Sequence, residues 1–302
     1  MGSPNRSLDN PSGGQEPGQR PDQPSVAPSN ANHVVVFADM LGFAALTEAH
    51  PIDLRMLRAS TRPGSLDLES ILGKPKNPLT EAFSSFHLHI KWAIIMAEMS
   101  HAVTAISFSD SVFFATTSLV AAASFAANLA HSMLSSRVPV RIGIASGSFA
   151  ALRFRSDVST DSGDHAAQFL GTAVVRAYRA EKCGIKGMRV LVHPSMEPLL
   201  VKGSLDDPPS ASGGARRFRF LDVPSAELTN TAQVRYELDY WDLATTKERE
   251  AWHALQDMWE VAPDFARQHY QATAGAINRM RVAQGESPLK NLRRRTLPRR
   301  PR

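Results

Sequence analysis

Cysteine is almost absent: Cys183 is the only one in 302 residues. A lone cysteine closes no disulfide framework and builds no cysteine-rich zinc site. Its place near a helix C-terminus, with no activating motif beside it, reads as packing. Long apolar runs are missing as well. The best stretch, around Ile90 to Met99, is short and contains Lys91 and Glu98, too little for a membrane span. The N-terminus, MGSPNRSLDNPSGGQEPGQR, lacks the apolar centre of a secretion signal. These absences together point to a cytoplasmic protein. No internal repeat is visible. The 10 histidines are scattered without metal-ligand spacing, and His87 and His89 do not share a helix face, so they read as structural.

Charge of one sign is concentrated rather than spread. The formal net charge is +5, and much of the excess lies in Arg293-Arg294-Arg295 through Arg299-Arg300-Pro301-Arg302. Such a run reads as a solvated tail. The remainder is nearly balanced, which argues against stable nucleic-acid binding by the folded part, and no membrane binding is expected.

Hydrophobic residues make up 43% of the chain, enough for a sizeable core. Residues 1–32 are rich in Pro, Gly, Ser, Asn and Gln, and such a composition cannot offset its ordering entropy. Order is expected from His33-Val34-Val35-Val36-Phe37-Ala38, a β-branched run typical of a buried strand. It ends at Asp39-Met40-Leu41-Gly42-Phe43, where a helix is expected to begin. Residues 60–80 are broken by Pro63, Gly64, Gly73, Pro75 and Pro78 and read as loop. Helical spacing returns from Glu81 to Met99.

Ala105–Phe108 and Val112–Ala115 then read as a hairpin with Asp110 at its tip. An Ala-rich helix is expected over 119–135, a strand over 138–147 with glycines that imply close backbone approach, a polar loop over 156–165, and a helix over 171–183. Further strands are expected at 188–192, 217–221 and 234–241, and helix over 245–283. Lys186 and Arg189 lie where a cation reaches phosphates, or where the helix dipole favours positive charge. Glu237 and Asp239 alternate along a strand and read as solvent-side charges. Trp241, Trp252 and Trp259 read as anchors for the terminal helix. The mixed order of strands and helices argues an α/β sandwich.

Two carboxylates stand out at strand ends. Asp39 follows a buried strand, and Asp110 sits on a turn. Either alone reads equally as an N-cap or a turn former. Together they can share a pair of divalent cations, because Mg2+ and Mn2+ prefer hard oxygen ligands and complete their shells with phosphate oxygens. The backbone N–H groups of Leu41, Gly42 and Phe43, opening a helix, offer a place for phosphate.

The blocks Phe37-Ala38-Asp39-Met40-Leu41-Gly42-Phe43, Ser107-Phe108-Ser109-Asp110-Ser111, Arg141-Ile142-Gly143-Ile144-Ala145-Ser146-Gly147 and Gly171-Thr172-Ala173-Val174-Val175-Arg176-Ala177-Tyr178-Arg179 follow one another in that order. Over residues 33–195 this resembles the class III adenylate/guanylate cyclase catalytic domain. The first block is fairly specific; the others persuade only as an ordered set. The resemblance implies a ferredoxin-like sandwich with an antiparallel-rich sheet and helices on one face. It implies that Asp39 and Asp110 hold two Mn2+ or Mg2+ ions, that the Met40 backbone carbonyl reaches a metal, and that Arg179 steadies charge on the phosphate in the transition state. Phe37, Leu41, Gly42, Phe43 and Thr172 fall at nucleotide-contacting positions. It also implies a homodimer with composite active sites.

The departures matter as much. The family's transition-state asparagine aligns with Val175, which donates no hydrogen bond. The purine-reading lysine and aspartate positions hold Ile106 and Thr172. A pocket that loses its base-reading groups changes its substrate. With the Tyr236–Trp241 strand, the chain is similar to the bacterial pyrimidine cyclases of the Pycsar antiphage systems. That likeness implies UTP, or alternatively CTP, as substrate, and a cyclic nucleotide that acts on a separate effector. The expected organisation is 1–32 disordered, 33–242 cyclase domain, 243–285 helical segment and 286–302 basic disordered tail. A catalytically silent nucleotide-binding module remains the alternative.

Overall fold

The structure is a computed structural model that describes residues 32–51, 77–99, 101–154, 165–202, 218–228, 233–241 and 248–294. The expectations for 1–32, 60–80, 156–165, 203–214 and the arginine-rich end fall wholly or largely outside these residues.

Strand β1 (His33–Met40) is the axis of the molecule. Val34 through Ala38 are all buried, because β1 is flanked on both edges and covered on both faces. It pairs antiparallel with β3 (Ser111–Thr116) on one side and with β4 (Val140–Gly147) on the other. β2 (Val103–Ser107) pairs outside β3. Helix α1 (Phe43–Ala49) and helix α2 (Pro78–Glu98) intervene between β1 and β2, and helix α3 (Leu119–Ser135) between β3 and β4. The order β4-β1-β3-β2 with these crossings is a ferredoxin-like βαββαβ core. The sheet extends through β7 (Val190–Val192), β9 (Tyr236–Leu238) and β8 (Phe220–Asp222). Only β4 and β7 run parallel among the described pairs. A separate hairpin, β5 (Ala150–Phe154) with β6 (His165–Leu170), extends from β4.

Alternation along β1 divides the core. Val34, Val36, Ala38 and Met40 face one side, with Phe86, Ile90 and Ala93 of α2 and Ala122, Ala126, Leu129 and Met133 of α3. Alanines let α3 lie close to the sheet and be buried on most of its surface. Each fully buried Val, Leu or Phe contributes about 1.5–3 kcal/mol. Val35 and Phe37 face the other side, against Ala173 and Ala177 of helix α4 (Thr172–Glu181). The expectation of helices on one face therefore holds for the βαββαβ core, and α4 is added behind it.

Helix α5 (Glu197–Lys202) is short. The terminal helical region is two helices, α6 (Glu248–Val261) and α7 (Asp264–Ala283), because Pro263 interrupts it. Both insert into the main core through Ala251, Leu255, Ala276, Ile277 and Met280. Trp241 and Trp259 are buried, and Trp252 packs against the core. No helix among the described residues is long and apolar enough to cross a membrane.

Two readings of charge need correction. Glu237 and Asp239 are buried, not solvent-side. Glu237 accepts hydrogen bonds from Arg189 at 2.7 Å and from Arg279 at 3.0 Å. Asp239 accepts from the Trp241 N–H at 3.0 Å and from Gln284 at 2.8 Å. Arg189 is thereby committed to Glu237 and Glu227, the two carboxylates that Arg279 of α7 also reaches, and Lys186 donates to Gln268 at 2.5 Å. Neither sits waiting for phosphate.

Candidate active site at the β1–β3 end

The two aspartates meet through the backbone. Asp39 lies opposite Ser111 on β3 and opposite Arg141 on β4. One residue on, the Met40 N–H donates to the Asp110 carbonyl at 2.8 Å. The two carboxylates are therefore carried by neighbouring positions at one end of the sheet. His87 of α2 braces the hairpin tip with a 3.2 Å hydrogen bond to the Ser109 carbonyl. Burial holds this imidazole below its ordinary value, opposed by that bond. Ser109 Oγ donates to Asp110 Oδ1 at 3.2 Å.

Asp39 shares the face of Val35 and Phe37, so it looks toward α4. Its side chain is 16% exposed, and Lys182 Nζ stands 2.6 Å from its Oδ2. Lys182 caps the C-terminus of α4 and is also 3.1 Å from Glu181 Oε2. Burial lowers the affinity of the ammonium for its proton, but the hydrogen bond to Asp39 and the negative charges around it outweigh that, and the net shift is upward. Sequence reasoning passed over Lys182. The available signal was its spacing, four residues after Tyr178 on one helix flank.

Helix α4 comes this close because β4 carries Gly143. A Cβ there would lie 2.1 Å from the Ala177 carbonyl oxygen and 2.7 Å from the Glu181 nitrogen. Buried Glu181 is tied to Arg141 by contacts of 2.9 and 2.7 Å, and Arg141 also donates to the Ile185 carbonyl at 3.0 Å.

The remaining predicted residues divide. Phe37 is 4% exposed, under Phe113 at 4.4 Å and Tyr178 at 5.5 Å. The Leu41 N–H donates to the Pro139 carbonyl at 2.8 Å, which removes it from the expected phosphate cradle. Gly42 has a φ of 79° and turns the chain into α1, where Phe43 packs against the core. Met40 buries its side chain and keeps its backbone beside Asp110. The Thr172 hydroxyl accepts from the Ser148 N–H at 3.0 Å and pairs with Ser148 Oγ at 3.1 Å. It joins α4 to the β4–β5 turn.

Arg179 is exposed on α4. Its charge, with that of Arg176, falls on His193, whose pKa is lowered first by burial and then by these cations. Among the described residues no ion pair joins Arg179 to either aspartate. Val175, one turn earlier, is also exposed. Beside them lies an open apolar flank of Phe108, Leu170, Val175 and Tyr178. Ile106 pairs with Phe113, which pairs with Phe37, so Ile106 shares the sheet face of Asp39. Behind the Met40–Gly42 turn, on the opposite face, is a cleft of about 910 Å³ between α1 and the α6–α7 corner.

The donor set suits a hard divalent cation: two carboxylates and an adjacent backbone carbonyl, with a cation already held at Asp39. Among the described residues no three His, Cys, Asp or Glu side chains form a ready cage. A metal here would complete its shell with water and substrate oxygens.

No protein-family model and no curated protein matches the chain. Among solved structures, an adenylate cyclase from Trypanosoma brucei in its monomeric state is similar at 18% identity and a TM-score of 0.43, covering 72% of this chain and 94% of that one. A bacterial light-regulated adenylyl cyclase is similar at 13% identity and a TM-score of 0.42, covering 76% and 100%. A dimeric guanylyl cyclase domain of a fusion protein from the aquatic fungus Blastocladiella emersonii is similar at 14% identity and a TM-score of 0.39, covering 69% and 93%. Likeness of this size leaves the assignment of activity to the site itself.

Proposed function

We propose that the protein is a metal-dependent nucleotide cyclase that closes UTP, or alternatively CTP, into its cyclic monophosphate with release of pyrophosphate. One observation carries this reading. Asp39 and Asp110, 71 residues apart in the sequence, come to adjoining backbone positions.

Asp39, Asp110 and the Met40 carbonyl would hold one or two Mn2+ or Mg2+ ions. Bound there, a divalent ion supplies Lewis-acid polarisation of the phosphate oxygens and of the attacking hydroxyl. In the reaction the ribose 3′-oxygen bonds to the α-phosphorus, the bond from that phosphorus to the pyrophosphate oxygen breaks, and the hydroxyl proton leaves to solvent. The Gly42–Phe43 turn stands beside the aspartates to receive phosphate oxygens. Arg179 supplies preorganised positive charge to the oxygens that gain charge in the transition state. Arg179 is exposed and makes no ion pair with Asp39 among the described residues, which leaves it free to serve a homodimer whose sites draw aspartates from one copy and Arg179 from the other. The exposed apolar flank of α4 is the surface such a contact would cover.

Ile106 and Thr172 leave no Lys/Asp pair for a purine, which supports a pyrimidine. The role in antiphage defence, through a separate effector that reads the product, follows the Pycsar resemblance. A catalytically silent nucleotide-binding module is the second reading, and exposed Val175 favours it because it offers no hydrogen-bond donor.

Purified protein incubated with each of the four radiolabelled nucleoside triphosphates and Mn2+ tests both. Cyclic UMP or cyclic CMP is expected, and none from Asp39→Ala. Cyclic AMP or GMP would keep the cyclase and overturn the base assignment. Binding without any product would favour the silent module.

A further inference from the structure

Lys182 belongs to none of the four sequence blocks that suggest a metal site, yet its ammonium holds Asp39. The contact is tightly framed. Lys182 is the C-cap of α4, and its N–H donates to the Tyr178 carbonyl at 2.9 Å. Helix α4 is seated on β4 by the close approach at Gly143 and by the Arg141–Glu181 pair. The Lys182 ammonium lies 6.0 Å from the Tyr178 ring centroid, and Glu181 supplies a second carboxylate at 3.1 Å. The Tyr178 ring and the Glu181 carboxylate thus hold the ammonium beside Asp39.

A divalent ion needs an Asp39 oxygen at about 2.0–2.2 Å. An ammonium 2.6 Å from Oδ2 occupies part of that carboxylate's acceptor capacity and sets a like charge beside the ion, so the two cations compete for one carboxylate. We propose that Lys182 is the internal competitor of the divalent ion at Asp39. In the metal-free protein it neutralises the carboxylate, and its charge opposes a divalent ion there until the side chain swings aside. The side chain is 39% exposed, so a route outward exists. The aspartate that binds metal is thereby kept from standing as an uncompensated charge, and part of the metal's binding energy goes into displacing the lysine.

This inference rests on the metal reading above, and its test separates the two. Mn2+ is titrated into the full chain without nucleotide, and free Mn2+ is followed by electron paramagnetic resonance. Lys182→Met keeps the stem on Tyr178 and removes the charge; it is expected to bind Mn2+ at least tenfold more tightly than the unchanged protein. Lys182→Gln should do the same if the methionine variant folds poorly, and Lys182→Arg should stay near the starting affinity. Lys186→Met removes an equal charge that pairs with Gln268 instead, and should change affinity less than twofold. Asp39→Asn should abolish the site, with or without Lys182→Met. Unchanged or weaker binding by both Lys182→Met and Lys182→Gln, with Asp39→Asn still abolishing it, overturns the competitor and leaves the metal site standing. An equal gain from Lys186→Met overturns it too, because general charge would then explain the effect. Mn2+ binding that survives Asp39→Asn overturns the metal reading and the competitor with it.

Discussion

The most demanding residue near the site is Glu181, a carboxylate with no exposed side-chain surface. Burial pushes its pKa up, while Arg141 and Lys182 pull it down, and the net direction is upward. The folded protein therefore binds more protons at this position than the unfolded chain does between the ordinary value of 4.5 and the raised one. Stability from this group is lost as pH rises through that window. Arg141→Met removes the main opposing cation. At neutral pH it should cost about 3–5 kcal/mol, the range for breaking one side of a buried pair. The deficit should shrink as pH falls toward 4.5, where Glu181 in the variant takes up a proton. Urea melts of both proteins at pH 5 and pH 8 check this; an equal deficit at both values would mean that Glu181 is not the source.

Helix α4 is the element on which the site turns, because Tyr178, Arg179 and Lys182 all ride on it. Gly143→Ala would press a methyl against the Ala177 carbonyl and force the helix outward. Overpacking of this kind costs about 1–3 kcal/mol. The expected readout is a lower urea midpoint together with loss of cyclase activity, although Gly143 touches no proposed ligand. Retained activity at full stability would show that α4 need not sit so close.

Elements with a strong period were the legible ones. β1, the hairpin carrying Asp110, and α3 lie within a few residues of where the β-branched run, the polar turn and the alanine spacing put them. The β5–β6 hairpin was not, since Ala150-Ala151-Leu152-Arg153-Phe154 lacks β-branched residues. Glu237 and Asp239 misled because their partners are distant in sequence: Arg189 is 48 residues from Glu237, and Gln284 is 45 from Asp239. Lys182 was hidden for the same reason, 143 positions from Asp39. Local pattern reports which strand a residue is on; it does not report which helix end folds back onto it.

At the scale of the whole molecule the question is whether one copy suffices. Arg179 is exposed and unpaired with Asp39 among the described residues, and Val175 and Tyr178 on the same helix are exposed apolar side chains. If two copies build each site, Asp39→Ala and Arg179→Ala proteins, each inactive alone, should regain activity when mixed. One mixed dimer holds one intact site out of two, and a random mixture of subunits makes half of all dimers mixed, so about a quarter of the unmodified activity is expected. No recovery, with subunit exchange shown independently, would place the whole reaction within one chain or end the cyclase reading.

The position of β1 also sets a timetable for synthesis. It is the first strand among the described residues, yet its hydrogen-bonding partners are β3 and β4, and His33 meets Gly147. The core that covers it is closed only by α7, which ends at Ala283. At translation rates of roughly 5–20 residues per second, the stretch from β1 to β4 takes on the order of ten seconds to emerge. For that time Val-Val-Val-Phe-Ala is an unpaired, apolar, β-prone segment outside the ribosome, and the growing chain is a natural client for a holding chaperone until its later strands arrive.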